Sequence, residues 1–260
     1  MEHQDVKQTV QDQFGRTASA YVKSDTHAHG TDLALLVEWL APTKTALALD
    51  IATGGGHVAK SLAPHVHSVF ATDLTKSMLA AAREHIRQER HQNVQFVLAD
   101  AESLPFLDQT FDLVTCRIAA HHFPHPDEFV KEVSRVLKPG GAFLLIDNIA
   151  PEEPHLAAFL NGFERLRDSG HVRCLSLSEW TQLMESTGLH IEKQRVRKKP
   201  FEFLPWVRRM AQSEQQIEEV ERCFINATAE QQKYFDLTFA EGRLASFRTD
   251  ECMILCKKTS

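Results

Sequence analysis

Between residues 45 and 147, short apolar runs alternate with amphipathic stretches of helical length, and this alternation restricts the fold more than any other feature of the chain. Thr45–Ile51, Val66–Thr72, Val94–Leu98, Phe111–Cys116 and Ala142–Asp147 read as strands, with His57–Leu62, Thr75–Arg90 and Pro126–Leu137 as the helices between them. Near-continuous apolar strands joined by helices predict a parallel sheet covered on both faces, since a strand buried on both sides has no polar face to show. Before the sheet, Val6, Val10, Phe14, Tyr21, Leu33, Leu36, Val37 and Leu40 recur at helical spacings. After residue 150 the alternation stops. Helices are expected at Leu156–Asp168 and Ser178–Ser186, a strand near Leu189–Arg197, two or three helices between Pro205 and about Tyr234, and a closing strand at Glu251–Lys257. The expected fold is α/β: a doubly wound, mostly parallel seven-stranded sheet forming a domain from 41 to 260. A helical cap over 1–40 precedes it, and a helical insertion at about 200–245, large enough to form a lid, comes before the last strand.

Composition narrows the class of function. At 43% hydrophobic and 25% charged residues, the 260-residue chain has the make-up of a soluble globular protein. The start, Met1-Glu2-His3-Gln4-Asp5, is polar, and no apolar run approaches bilayer length, so the expectation is a cytoplasmic protein with no signal peptide and no membrane insertion. Cys116, Cys174, Cys223, Cys252 and Cys256 are scattered without a CxxC pair, which argues against a disulfide framework and a structural zinc site. A net charge of -6 gives no global attraction to nucleic acid. The one basic run, Lys193 to Lys199, alternates in the way that guards an edge strand.

The chemistry is concentrated where the first strand ends, in Asp50-Ile51-Ala52-Thr53-Gly54-Gly55-Gly56-His57. Glycines there permit positive φ and let a ligand approach bare backbone at the start of a helix. Three cofactors fit this turn loosely. Gly54-x-Gly56-x-x-Ala59 with Asp73 beyond matches a dinucleotide fingerprint and makes NAD a rival. Gly54 to Ser61 resembles a P-loop but has Ala59 where that template requires glycine. The third reading, Asp50-x-Ala52-x-Gly54-x-Gly56 with Asp73 after the second strand and Asp100 after the third, accounts for more of the chain. A pyrophosphate has no use for a carboxylate at the buried end of the first strand, whereas S-adenosylmethionine, with its α-ammonium and sulfonium, tolerates one.

Ala46–Pro64, Val69–Ala80, Val97–Phe111 and Arg135–Asp147 resemble the successive motifs of the class I S-adenosylmethionine-dependent methyltransferases. The segment Arg135-Val136-Leu137-Lys138-Pro139-Gly140-Gly141 is similar to the branch that includes the ubiquinone/menaquinone-biosynthesis C-methyltransferases and uncharacterised bacterial relatives. The resemblance covers about residues 10 to 150. It implies a Rossmann-like methyltransferase fold and an enzyme that transfers a methyl group from S-adenosylmethionine. It also implies cofactor contacts at Asp50, Ala52, Gly54, Gly56, Asp73, Asp100 and Ala101, and at Phe14 and Tyr21 in the leading helix. Asp73 would take the ribose hydroxyls, Asp100 and the Ala101 N–H the adenine edge, and Leu74 and Met78 the ring faces. Ala52 departs from the glycine that many relatives have, a small-for-small exchange expected to preserve the turn.

Beyond the cofactor, His121, His122 and His125 follow the fourth strand, which in this fold ends beside the transferred methyl group. His122 or His121 is the candidate general base, set against an equally ordinary structural role. No recognised ligand pattern joins these histidines, so no metal is expected. Arg165, Arg167, His171 and Arg173 are either an anion-receiving cluster or a solvated helix end. Phe14, Phe123, Phe159, Phe163 and Trp206 are either pocket wall or core. Neither an Asn-Pro-Pro-aromatic nor an Asp-Pro-Pro-aromatic motif follows the fourth strand, where Arg117-Ile118-Ala119-Ala120-His121-His122 stands instead. The expected acceptor is therefore a small molecule and not a nucleic acid; its identity, the atom methylated and the oligomeric state are left open. NAD-dependent oxidation and non-catalytic S-adenosylmethionine binding are the rival functions.

Overall fold

A computed structural model describes residues 3–22, 31–89 and 91–259, with side chains for 6–15, 32–89 and 91–259. Two helices, α1 (His3–Val22) and α2 (Thr31–Leu40), precede the sheet. Then come β1 (Leu47–Ile51), α3 (His57–Leu62), β2 (Ser68–Asp73), α4 (Lys76–Gln88), β3 (Val94–Leu98), β4 (Phe111–Arg117), α5 (Pro126–Val136) and β5 (Leu137–Ile149). The remainder is α6 (Pro154–Arg167), α7 (Leu177–Ser186), β6 (Leu189–Glu202), α8 (Phe203–Val207), α9 (Glu214–Ile225), α10 (Ala229–Tyr234), β7 (Thr238–Ala240) and β8 (Arg243–Lys258).

The strand order is β3-β2-β1-β4-β5-β8-β6, with β7 paired to β8. The pairs from β3 to β5 are parallel, while β8 runs antiparallel to both β5 and β6. The chain winds outward from β1 to β3 and then returns to lay β4 on the other side of β1. Connections diverge at that point and leave a crevice at the carboxyl ends of β1 and β4. Strand chemistry follows position. β1 and β4, flanked on both sides, are almost wholly buried, whereas edge strand β6 is mostly exposed and carries the Lys193–Lys199 run.

Both faces are covered. Phe111, Phe129, Phe143, Trp180 and Ile254 pack between the sheet and α5 and α7, and Leu36, Leu62, Ile86, Leu144 and Ile146 between the other face and α2–α4. Each such side chain contributes about 1.5–3 kcal/mol by leaving water. A third cluster, including Phe163, Trp206, Phe224, Phe235 and Phe247, joins α6 to the insertion. Phe159 and Phe163 belong to this packing.

The second half departs from the sequence pattern. β6 continues to Glu202 and β8 begins at Arg243, eight residues earlier than alternation suggests, and the insertion contains β7 as well as helices. Leu244 and Phe247 draw the start of β8 into the aromatic cluster, while buried Thr249, Asp250 and Glu251 break the apolar pattern between them and the expected strand. Tertiary packing thus lengthens strands that propensity alone would end. Among the described residues no helix is long and apolar enough to cross a membrane.

Gly56 precedes α3 at φ 80°, and a Cβ there would lie 2.9 Å from Ile86 Cδ1 and 3.1 Å from Ala82 Cβ on α4. The residue lets α3 sit directly on α4. Gly56→Ala is expected to lower unfolding stability by about 1–3 kcal/mol, from overpacking and backbone strain together. Urea denaturation monitored by circular dichroism measures this; an unchanged midpoint would show that the helices separate at no cost.

Candidate active site

The crevice at the carboxyl ends of β1 and β4 is built on a turn held by side chains of three strands. The Thr53 N–H donates to Thr72 O at 2.7 Å, which ties the turn to β2. The hydroxyls of Thr53 and Thr115 donate to the two oxygens of Asp50, at 2.6 and 2.9 Å. Burial nevertheless pushes the Asp50 carboxyl up to about 6. One residue on, Ala52 has φ 52°, a left-handed conformation that costs a residue with a Cβ about 1–2 kcal/mol. The exchange for glycine therefore keeps the turn but under strain. Gly54, at φ 53°, has open space where a Cβ would stand.

Asp73 closes the turn from β2. Its Oδ2 accepts from Gly54 N–H at 3.0 Å and its Oδ1 from Thr75 N–H at 2.9 Å. Burial raises its pKa despite these bonds. Each oxygen keeps a further lone pair for a ligand hydroxyl. After β3, Asp100 lies next to Ala101 at the crevice, and Lys7 from α1 bonds both Asp100 and Glu102 at 2.5 Å. Desolvation works against the Lys7 ammonium, but the two carboxylates outweigh it and raise its pKa. Helix α1 is fastened further by Gln11 to Leu74 O at 2.9 Å and by Gln13 to Asp168 Oδ1 at 2.9 Å. Between those contacts Phe14 packs with Met78 and Met210.

Beyond β4, a short helical turn at Ala120–His122 carries the two histidines. Asp147, near the end of β5, takes both the His121 N–H at 3.0 Å and His121 Nδ1 at 2.6 Å. Burial disfavours a charged His121, but Asp147 overcomes it and the net shift is upward. His122 Nδ1 lies 2.9 Å from Gly170 O. A carbonyl only accepts, so this contact assigns the proton to Nδ1 and leaves a lone pair on Nε2. Burial, aided by the charge of His121 with ring centroids 4.2 Å apart, lowers His122 to about 4. One imidazole is thus biased toward its charged form and its neighbour toward the neutral one.

A single cavity brings together most of the residues singled out in the sequence. Asp50, Ala52, Gly54, Asp73 and Leu74 line one end of it, with Met78, Asp100, Ala101 and Phe14 continuing the wall and His121 and His122 further along. Gly56 does not line it; its place is the α3–α4 contact described above. The Tyr21 side chain lies outside the described residues. Of the arginine cluster only Arg167 reaches the cavity, bound to Glu164 at 2.9 Å and lying over Trp206 at 4.4 Å. Arg165 and Arg173 are occupied by Val172 O and Glu179. Phe123 and Trp206 are wall residues. Sequence reasoning missed Lys7, Arg117, Asn148, Asp168 and Lys199 in the lining. Only Lys199 had a local signal, as the end of the basic run.

Comparison with known proteins settles the family. Residues 49–145 match the family model for a methyltransferase domain. The uncharacterised methyltransferase YcgJ of Bacillus subtilis is 39% identical over 75% of this chain and 78% of its own length. YafE of Escherichia coli is 34% identical over 67% and 84%. The YcgJ crystal structure superposes with a TM-score of 0.85, at 35% identity over 88% of this chain and 98% of that one. The chain belongs to the class I S-adenosylmethionine-dependent methyltransferases. S-adenosylmethionine is accordingly the methyl donor of this methyltransferase, and the dinucleotide and P-loop readings of the glycine turn fall away.

The His121–Asp147 contact makes a prediction about titration. Histidine NMR resonances should place the His121 midpoint above 6.5, with His122 near 4. In Asp147→Asn the His121 midpoint should fall, since burial then acts against only the weaker attraction of Glu164 and Asp168. A His121 midpoint that Asp147→Asn leaves in place would remove the carboxylate as the cause.

Proposed function

We propose that this methyltransferase holds its donor at the Asp50–Asp73–Asp100 end of the cavity and transfers the methyl group to a small molecule bound at the histidine end. The observation that carries the reading is the convergence of three carboxylates and an open glycine turn on one wall of a single cavity. The donor set fits a cationic cofactor. Asp50 offers a negative charge where an ammonium or sulfonium would gain by it, Asp73 has acceptor capacity for ribose hydroxyls, and the missing Cβ at Gly54 leaves room for close approach. Asp100 and the Ala101 N–H would meet the adenine edge, Leu74, Met78 and Phe14 its faces, with α1 acting as a helical cap.

Bound S-adenosylmethionine supplies a methyl group already activated on sulfur. The protein's part is then alignment, for which orientation can contribute roughly 7–11 kcal/mol, and exclusion of water by α1 and α6. His122 is the candidate base, because its Nε2 lone pair is free of protons through the neutral range and can accept one from an acceptor hydroxyl or amine. A small acceptor agrees with the charge on β6: Arg197 and Lys198 bond Glu251 and Asp250 on β8 and so do not form a surface for phosphates. The ubiquinone/menaquinone-biosynthesis C-methyltransferase of Brucella anthropi is 37% identical over 56% of this chain and 60% of its own length, so its acceptor does not transfer with that match.

Calorimetric titration with S-adenosylmethionine, S-adenosylhomocysteine and NAD tests the cofactor assignment. The first two should bind and NAD should not. Asp73→Ala should weaken binding at least tenfold, since each lost bond to a charged acceptor is worth about 1.5–3 kcal/mol. Unaltered affinity in that variant would relocate the ribose.

Asp50 adds a pH dependence of known sign. Its folded pKa is raised, so its protonated form is favoured below about pH 6 and offers no charge to the donor. Affinity for S-adenosylmethionine should therefore fall as pH drops through 6 and level off above it. Asp50→Asn should bind more weakly and lose this dependence; a parallel pH profile in the variant would assign the titration elsewhere. For folding the linkage runs the other way: Asp50 stabilises the folded state least when ionised, so its contribution is lost as pH rises through 6.

A further inference from the structure

Gln13, on α1, is 5% exposed and does not line the cavity, yet its amide reaches a turn that does bear on it. Its Nε2 donates to Asp168 Oδ1 at 2.9 Å, and its Oε1 accepts from Ser169 Oγ at 2.8 Å. Asp168 decides which way round the amide lies. Burial opposes a charge on this carboxyl, but the basic side chains of His122, Arg167 and His121 and the Gly170 N–H outweigh burial and lower its pKa. Asp168 is therefore an acceptor, and the NH2 end of Gln13 must face it. A buried amide costs free energy unless it is bonded, and an apolar residue would have packed α1 here without that cost. The role of Gln13 thus lies in the turn it reaches.

That turn holds His122. The Gly170 N–H donates to Asp168 Oδ1 at 2.8 Å and the His171 N–H to Asp168 O at 3.0 Å, which closes residues 168–171 on themselves. The Gly170 carbonyl then accepts from His122 Nδ1 at 2.9 Å. The Val172 and Arg173 N–H groups donate to His121 O at 3.0 and 3.1 Å, so the same segment is fastened to the backbone that carries both histidines. Helix α1 lies close on the turn. A Cβ at Gly170 would stand 3.1 Å from Val10 Cγ2 and 3.3 Å from Asp168 Oδ1, tighter than ordinary contact. One residue beyond Gln13, the Phe14 ring meets the His122 imidazole in a T-shaped contact with centroids 5.1 Å apart.

Which nitrogen of a neutral imidazole carries the proton is set by the bond that the other environment offers it. At His122, Gly170 O keeps the proton on Nδ1 and leaves the Nε2 lone pair to an acceptor. The opposite tautomer would set a lone pair against a carbonyl oxygen and present the acceptor with an N–H, which takes no proton. We infer that Gln13 is a positioning residue for methyl transfer: by holding Asp168 and Ser169 from α1, it keeps the Gly170 carbonyl on His122 and so fixes the tautomer in which His122 accepts a proton. This deepens the methyl-transfer reading above and rests on His122 as its base. Gln13 acts through the turn and stands outside the cavity lining.

The test uses the full chain with isotope-labelled histidine, saturated with S-adenosylhomocysteine at neutral pH. Long-range proton–nitrogen NMR spectra report the imidazole tautomers, and His122→Gln identifies the His122 signals. In the unaltered protein His122 should carry its proton on Nδ1. Gln13→Met, which keeps the length of the side chain, should lower the ratio of the Nδ1–H to the Nε2–H form about fivefold, the change that loss of one neutral hydrogen bond produces. Ser169→Ala, at an exposed position, should move the ratio the same way by less. His121 should keep its Nδ1–H toward Asp147 in both variants, which also shows that they are folded. A ratio that Gln13→Met leaves unchanged, or a change that His121 shares to the same extent, overturns the proposal and leaves His122 as the base. An Nε2–H imidazole at His122 in the unaltered protein would overturn the base assignment with it. Failure of S-adenosylhomocysteine to bind the unaltered protein would instead count against the methyl-transfer reading of the cavity.

Discussion

The Asp50 carboxylate ends a central strand buried against β2 on one side and β4 on the other, and the site is arranged around it. A charge at that depth is tolerable only with hydrogen bonds to both oxygens, which the hydroxyls of Thr53 and Thr115 supply. Thr53 is in reach because the chain turns sharply after Ile51, and the turn is possible because Ala52, Gly54 and Gly56 all take positive φ. The same turn points the Gly54 N–H at Asp73 on the neighbouring strand. One buried carboxylate therefore couples the backbone path, the register with β2 and β4, and the electrostatic character of the crevice.

The cavity is lined by acidic and basic groups along its length. Asp50, Asp73 and Asp100 line it with the glycine turn, and Arg117, His121 and Lys199, each bonded to a buried carboxylate, line it as well, together with Glu164 and Asp168. Helix α1 spans both ends. Lys7 binds the Asp100–Glu102 pair, Gln11 the backbone of Leu74, and Gln13 reaches Asp168 beside the histidines. Movement of α1 would open both halves at once.

The insertion after β6 carries its own aromatic core and packs on α6, so it is a packed part of the fold and not a bare loop. Through Trp206 it touches the cavity, and through Phe247 it sets where β8 begins. The length of β8 decides in turn that Glu251 lies opposite Asn148 and Arg197. This part of the cavity wall thus depends on packing far from the glycine turn.

The alternating apolar runs, the glycine turn and the three aspartates at strand ends were legible in the sequence, because a parallel sheet imposes its burial locally and a turn with positive φ demands particular residues at fixed spacing. So the half of the fold that carries the cofactor motifs, and most of the residues around them, could be read from residues 45 to 147. Gly56 was legible as a glycine but not in its role, since only the approach of Ile86 shows which neighbour it must accommodate. The pairs Arg117–Asp32 and Lys199–Glu251 had no signature, since their members lie 85 and 52 residues apart, and His121 was legible as a candidate base but not as the partner of Asp147, 26 residues away. Local sequence determines backbone path and burial because those depend on near neighbours; tertiary structure alone decided which charge faces the cavity, because that depends on partners brought in by strand register and helix packing.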